Sequence, residues 1–240
     1  MDSFFCKNDP LFLSELSERL QLQRSCLDKH LFAPPVITVG AVLFKPGDTP
    51  IFDKVFFSRS YVRNFYNWLV SQLGGACSNI GGTAYGDGTL VMRDTGGTNR
   101  SHSTYLTCCT TQANFIGPSG INTRGILVGR GTTSESFNQY SLATLITNGT
   151  GANQLLYGAQ AAPTIDWDSL TRLLTIIHTR TFENGGVDDV SVTETGHGVS
   201  LAYPTSANYT FIRDLLPEAI LVETGLFLRI TYNFSITYPA

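Results

Sequence analysis

The chain has 240 residues, of which 42% are hydrophobic and only 15% charged, with a formal net charge of −3. That is enough apolar material for one large core, and the slight acidity with no Lys/Arg run excludes the electrostatic footprint of a nucleic-acid binder. No apolar stretch approaches the roughly 18 residues of a membrane span, and the opening MDSFFCKNDP lacks the basic and apolar regions of a secretory signal, so none is expected.

Asp9 and Pro10 read as an N-cap and first helical position. From there Leu13, Leu16, Leu20, Leu27 and Leu31 keep one apolar stripe, which predicts an amphipathic helix over residues 11–30. Residues 1–33 thus form an N-terminal helical arm, placed either to pack on its own β-domain or to dock on a neighbouring subunit. The β-domain follows over 34–240. Pro34 and Pro35 stop the helix, residues 36–44 alternate as a first strand, and Pro46, Gly47 and Pro50 mark a loop.

The period then changes. Tyr61, Phe65, Trp68, Leu69 and Leu73 share one helical face, so a helix is expected over residues 60–73, closed by Gly74 and Gly75. Its aromatic face is expected in the core, with a ligand platform of Tyr61, Phe65 and Trp68 as the alternative. Residues 76–103 are rich in Gly and Thr, with a turn at 86–88 and a short strand at 89–93. Further strands are expected at 105–110 and at 125–129, where GILVG reads as buried, followed by a polar turn at 130–135 and by a loop and short strand at 148–158.

Residues 173–182 form a clear strand, with Leu174, Ile176, His178, Arg180 and Phe182 on one face. Asn184, Gly185 and Gly186 make a turn, and residues 187–195 alternate again, so the two predict a hairpin. Residues 211–216 are a strand or short connection, and 220–223 lead into the last run, 226–238. There Leu226, Leu228, Ile230, Tyr232, Phe234, Ile236 and Tyr238 alternate with Arg229, Thr231, Asn233, Ser235 and Thr237. At about 3.3 Å per residue this strand spans roughly 43 Å and needs long neighbours. The expected fold is mainly β: an antiparallel β-sandwich, jelly-roll-like or Ig-like, with an N-terminal helix and one inserted amphipathic helix.

Enzyme signatures fail at named residues. Gly129-Arg130-Gly131 lacks the third glycine of a dinucleotide loop, and Gly117-Pro118-Ser119-Gly120 is a turn, not a nucleophile elbow. His30, His102, His178 and His197 lack metal-ligand spacing; His178 reads as a hydrogen-bonded structural histidine and His197 as a loop residue. Asp188, Asp189 and Glu194, or Asp87 and Asp94, could ligate Ca²⁺, but solvated turn carboxylates are the plainer reading. No catalytic, cofactor-binding or metal-ligating residue is assigned, and no enzyme activity is expected. The five cysteines, Cys6, Cys26, Cys77, Cys108 and Cys109, are odd in number and irregularly spaced, and are expected as reduced thiols.

Several stretches in a fixed order carry a resemblance. They are SRSYVRNF at 58–65, GILVGRGT at 125–132, GTGANQLLYG at 149–158, RTFENGG at 180–186, VTETG at 192–196, IRDLL at 212–216 and the closing strand. Over residues 58–238 this order resembles a group of small structural proteins of tailed bacteriophages. Where that group's pattern reads E-x-G-L, this chain has Glu194, Thr195, Gly196 and His197. The resemblance implies a virion component with a β-rich fold. The expectation is a protein made in the host cytoplasm that assembles with itself and other virion proteins in the neck, tail or capsid surface. The low charge motivates it, since interface cores are depleted in charged residues, as does the helix ahead of the β-domain. The alternative is a receptor- or glycan-binding module of the particle, with Tyr61, Trp68, Tyr85 or Tyr140 as candidate platforms.

Overall fold

The computed structural model of the protein describes residues 5–6, 8–28, 35–58, 61–73, 84–85, 88–89, 92–100, 114–201 and 206–238. It is mainly β, with antiparallel ladders throughout. Helix α1 (Pro10–Asp28) precedes strands β1 (Val36–Phe44) and β2 (Phe52–Phe57), and α2 (Arg63–Leu73) follows. Four two-residue strands come next: β3 (Ala84–Tyr85), β4 (Gly88–Thr89), β5 (Met92–Arg93) and β6 (Asn99–Arg100). The rest is β7 (Gly125–Gly129), β8 (Leu156–Tyr157), β9 (Thr164–Asp168), β10 (Leu173–Glu183), β11 (Val190–Leu201), β12 (Ala207–Val222) and β13 (Phe227–Thr237).

The larger sheet runs β2-β1-β13-β10-β8, with β9 also paired to β10. The alternating last strand is therefore its centre. β1 pairs β13 from Val36↔Ser235 to Phe44↔Phe227, and β10 pairs its other edge from Leu173↔Thr237 to Glu183↔Phe227. Leu228, Ile230 and Tyr232 are fully buried, as the period of two requires, while Phe234 and Ile236 near the end are only half-buried. The second sheet is β12-β11-β7. Side chains of both sheets belong to one core: Val39, Ala41, Phe182, Leu228 and Ile230 from the first meet Ile126, Val128, Val199, Tyr209 and Ile212 from the second. The GILVG strand is buried at every residue.

Four expectations change. β10 and β11 are not a hairpin, because β10 pairs β13 in the larger sheet and β11 pairs β12 and β7 in the smaller. The turn between them crosses from sheet to sheet, as does the turn from β12 to β13. Asn184, fully buried, ties the two crossings together: its Nδ2 donates to the Asp188 and Val222 carbonyls, and its backbone amide and carbonyl bond to Leu226 and Gly225. The stretch after the loop at 46–50, where no element is expected, contains β2, whose FDKVFF lacks clean alternation because Val55, Phe56 and Phe57 are all buried, on opposite faces. β9, also unanticipated, is exposed along its whole length, so burial left no pattern to read. The aromatic helix starts at Arg63; Tyr61 instead bridges to Ile212 and Val62 donates to the Phe211 carbonyl at the edge of β12. The expected strand at 105–110, and Gly74, Gly75, Cys77, Asp87, His30, His102, Cys108 and Cys109, lie outside the described residues.

α1 begins as expected. Asp9 caps it, its carboxylate accepting the Leu11 amide at 2.8 Å, with Pro10 at the first position. The inward stripe keeps Leu16 and Leu20 but takes Phe12 in place of Leu13. Phe12 and Gln23 are buried and Leu16 and Leu20 half-buried, while Leu13 is half exposed.

Candidate interaction surface

Alternation along β10 and β13 gives the larger sheet a second face, turned away from the core. Its rows run Val36, Ser235, Thr175 and Asp166; Thr38, Asn233, Ile177 and Thr164; Gly40, Thr231 and Thr179; then Val42, Arg229 and Thr181. The surface is mostly hydroxyl and amide. Thr179 and Thr231 bond across the ladder at 3.1 Å, and Asn233 donates to Thr38 at 3.2 Å.

α1 lies across part of this face. Phe12 packs on Phe57, with ring centroids 5.2 Å apart, and on Val55, and the Arg19 guanidinium sits 4.0 Å over the Phe57 ring. At its other end Gln23 accepts the Thr237 amide at 2.9 Å and Arg24 donates to the Thr171 carbonyl at 2.8 Å. Between these two attachments the helix bridges a cleft of about 740 Å³, with Leu16 and Leu20 above and Thr175, Thr179, Thr231 and Asn233 below. Smaller hollows continue the line, about 300 Å³ beside Leu173 and Thr237 and about 430 Å³ beside Glu183 and Phe227. Leu11 and Leu22 on α1 are 71% and 66% exposed, and Ile165 and Trp167 on β9 are 67% and 48% exposed. The arrangement offers shape and neutral hydrogen-bonding groups for contact.

Polar chemistry is concentrated inside the molecule. Arg180, 1% exposed, donates five hydrogen bonds to the backbone carbonyls of Gly158, Arg124, Ile126, Pro118 and Ile121. Burial lowers its pKa to about 10, which leaves it cationic at neutral pH. On the far side of the smaller sheet, Glu194 and Arg213 form a fully buried ion pair at 2.6 Å. Glu194 also accepts the amides of Gly131, Ala143 and Thr144, and Arg213 donates to Thr133 and Gln139, so the pair pins the loop 130–144 to the sheet. In the core Asp214 accepts from Ser58 and Tyr232; burial, with Asp214 beside it, pushes the Tyr232 phenol far above its ordinary value.

The residues singled out in the sequence are dispersed. Tyr61 and Phe65 stack with centroids 3.9 Å apart and pack with Trp68 against the core, and burial pushes the Tyr61 phenol well up. The core expectation holds for these three; the side chains of Leu69 and Leu73 lie outside the described part. Tyr140 lies under the Arg93 guanidinium at 4.0 Å, and the Tyr85 side chain lies outside the described part. Glu194 is committed to Arg213, remote from the exposed Asp188 and Asp189, so that trio is no cation site. Asp94 binds the Gly96 and Thr98 amides and Arg100; burial alone would raise its carboxyl, but these partners outweigh it and hold it below the usual value. Among the described residues no three His, Cys, Asp or Glu side chains gather as metal ligands. Cys6 is a free, exposed thiol.

His178 is the hydrogen-bonded structural histidine expected. His197 is not a loop residue but a buried member of β11, in contact with His178. Gly196 and Gly198 suggested a loop, yet a Cβ on Gly196 would come within 2.7 Å of the Ile212 carbonyl, so there glycine serves close strand packing. Sequence reasoning also missed Gln160, whose role as a partner of His178 has no local signal. No family model, curated protein or solved structure matches the chain.

Proposed function

We propose that this protein is a non-enzymatic virion structural protein of a tailed bacteriophage, a β-sandwich of jelly-roll or Ig-like type that assembles through subunit contacts into the neck, tail or capsid surface. The observation that carries the reading is the outer face of the larger sheet: a neutral, hydroxyl-lined surface, bridged by a helix whose Leu11 and Leu22 remain exposed. Exposed apolar residues beside uncharged polar ones are what a subunit contact buries. The stretches quoted at 58–65, 125–132, 149–158, 180–186, 192–196 and 212–216 support the viral assignment through resemblance. Native mass spectrometry of the purified chain and gold-labelled antibody imaging of particles test it. The expected results are a symmetric homo-oligomer and label at one place on the virion; a monomer at high concentration, with unlabelled particles, sinks the proposal.

A receptor- or glycan-binding module is the second reading, favoured by the loop 130–144. Its buried ion pair makes it rigid, and it displays the half-exposed Phe137 with Arg63 5.3 Å from the ring, beside the Arg93–Tyr140 pair. Aromatic faces held by a rigid polar loop suit sugar rings. A glycan array with no binding above background removes this reading.

A further inference from the structure

A buried histidine pair joins the two sheets. His178 faces the core from β10 and His197 from β11; the rings meet edge to face with centroids 4.9 Å apart, and Nε2 of His197 lies 3.1 Å from Nδ1 of His178. Gln160 fixes which nitrogens carry protons. Its Oε1 accepts the Ile126 amide at 2.8 Å and its Nε2 donates to the Phe115 carbonyl at 3.1 Å, so these two partners set the orientation of the amide. The same Nε2 stands 3.2 Å from Nδ1 of His178. An amide nitrogen only donates, so Nδ1 of His178 accepts and carries no proton. The geometry therefore requires a neutral His178.

We propose that this pair is an acid-released latch: a proton taken from solvent by Nδ1 of His178 expels the Gln160 amide and frees segment 114–126 from the core, while the β11–β12 ladder stays closed. Protonated Nδ1 would point its hydrogen at the NH₂ of Gln160. Gln160 can accept that hydrogen only by turning over, which sets its carbonyl against the Phe115 carbonyl and its NH₂ against the Ile126 amide. Arg180 clasps the same segment, its Nη1 and Nη2 reaching the carbonyls of Pro118, Ile121, Arg124 and Ile126 at 2.6 to 3.2 Å, alongside the backbone bonds of Asn114 to Ser200, Gly117 to Gln160 and Gly120 to Tyr157 and the pairing of Gly125 and Ile126 with β11. A new cation two residues from Arg180 on the same face of β10 weakens that clasp as well.

The surroundings offer the proton little compensation. Among the described residues, the ionisable groups facing the pair are Arg180 on β10, Tyr232 on β13 and, one row further along β12, Asp214, which accepts from Ser58 and Tyr232. From β7 the residue opposite His197 is Ile126, and Phe115 and Phe234 pack against the rings. Burial lowers the pKa of both histidines in keeping with this setting.

Amide hydrogen exchange of the whole protein between pH 7.5 and 5, corrected for intrinsic rates, tests the latch. Protection of 114–126 should fall about tenfold per pH unit as the pH drops below about 6.5, the pKa of a freed histidine, one proton being bound on opening, while β12, residues 207–222, keeps its own. His178→Gln, which retains an acceptor for Gln160 but cannot be protonated, should abolish the acid step. The same loosening in that variant, or uniform loosening of both regions, overturns the proposal. If the variant does not fold, NMR titration of the wild-type rings decides: a His178 midpoint matching the exchange midpoint supports the latch, and a mismatch of more than about one pH unit refutes it.

Discussion

At the scale of single residues, the buried charges are the most exacting positions. Glu194 and Arg213 are both fully buried, and each satisfies the other along with backbone groups of the loop 130–144. A buried pair adds little net stability, but removing one partner strands the other charge. Glu194→Ala should therefore cost about 3 to 5 kcal/mol in denaturant unfolding, more than Arg213 and Glu194 replaced together by apolar residues of like volume. His197 sets a second expectation. Burial, then His178 and Arg180, hold its pKa down to about 3. The unfolded chain, with a histidine near 6.5, binds the proton more readily. Stability contributed by the neutral ring is thus complete above about pH 6.5 and declines as pH falls towards 3, by up to about 1.4 kcal/mol per pH unit. Unfolding midpoints measured from pH 7 to 4.5 should drop in the wild type and drop less in His197→Phe, whose ring fits among Phe115, Tyr232 and Phe234.

At the scale of elements, β13 decides the architecture, and its two faces make different demands. Ile230 is fully buried at the centre of the core, paired with Ala41 and Arg180 on the neighbouring strands. Thr231, the next residue, points to the outer face and is half-buried beside the cleft. Ile230→Asp buries an unpaired carboxylate and should cost more than about 4 kcal/mol, enough to unfold most domains. Thr231→Asp should cost less than about 1.5 kcal/mol, the worth of its hydrogen bond to Thr179; circular dichroism melts of the two variants read the contrast, and equal losses would contradict the one-sided strand. This much was legible beforehand because one face of β13, β1 and β10 meets apolar side chains and the other does not. β2 and β9 were not legible because burial does not alternate along them: β2 is covered on both faces by Phe12 and the core, and β9 on neither. The false hairpin has a different cause. Asn184-Gly185-Gly186 turns the chain as expected, but whether a turn keeps a strand in its sheet depends on long-range partners, here Val222, Gly225 and Leu226. The histidine pair was illegible for the same reason, since its third member, Gln160, lies 18 residues from His178 and 37 from His197 in a connection without periodicity.

At the scale of the whole molecule, α1 is attached at its two ends and bridges a cleft between them, an economical anchorage for a helix of 19 residues. Most helical stability comes from packing an apolar face, yet among the described side chains of α1 Phe12 is the one apolar residue that is buried, while Leu11 and Leu22 face outward. If the protein assembles through this side, those two leucines gain a partner only in the oligomer. Burying each stabilises by about 1.5 to 3 kcal/mol, so two copies meeting there forfeit several kcal/mol when both leucines become polar. Leu11→Gln with Leu22→Gln should weaken self-association at least tenfold in sedimentation analysis, because each 1.4 kcal/mol lost is a factor of ten. The isolated subunit should keep its melting temperature, since neither side chain touches the core. A double variant that associates as tightly as the wild type would move the contact off α1, leaving the open β9 edge, with Ile165 and Trp167 exposed beside it, as the next surface for the same substitution.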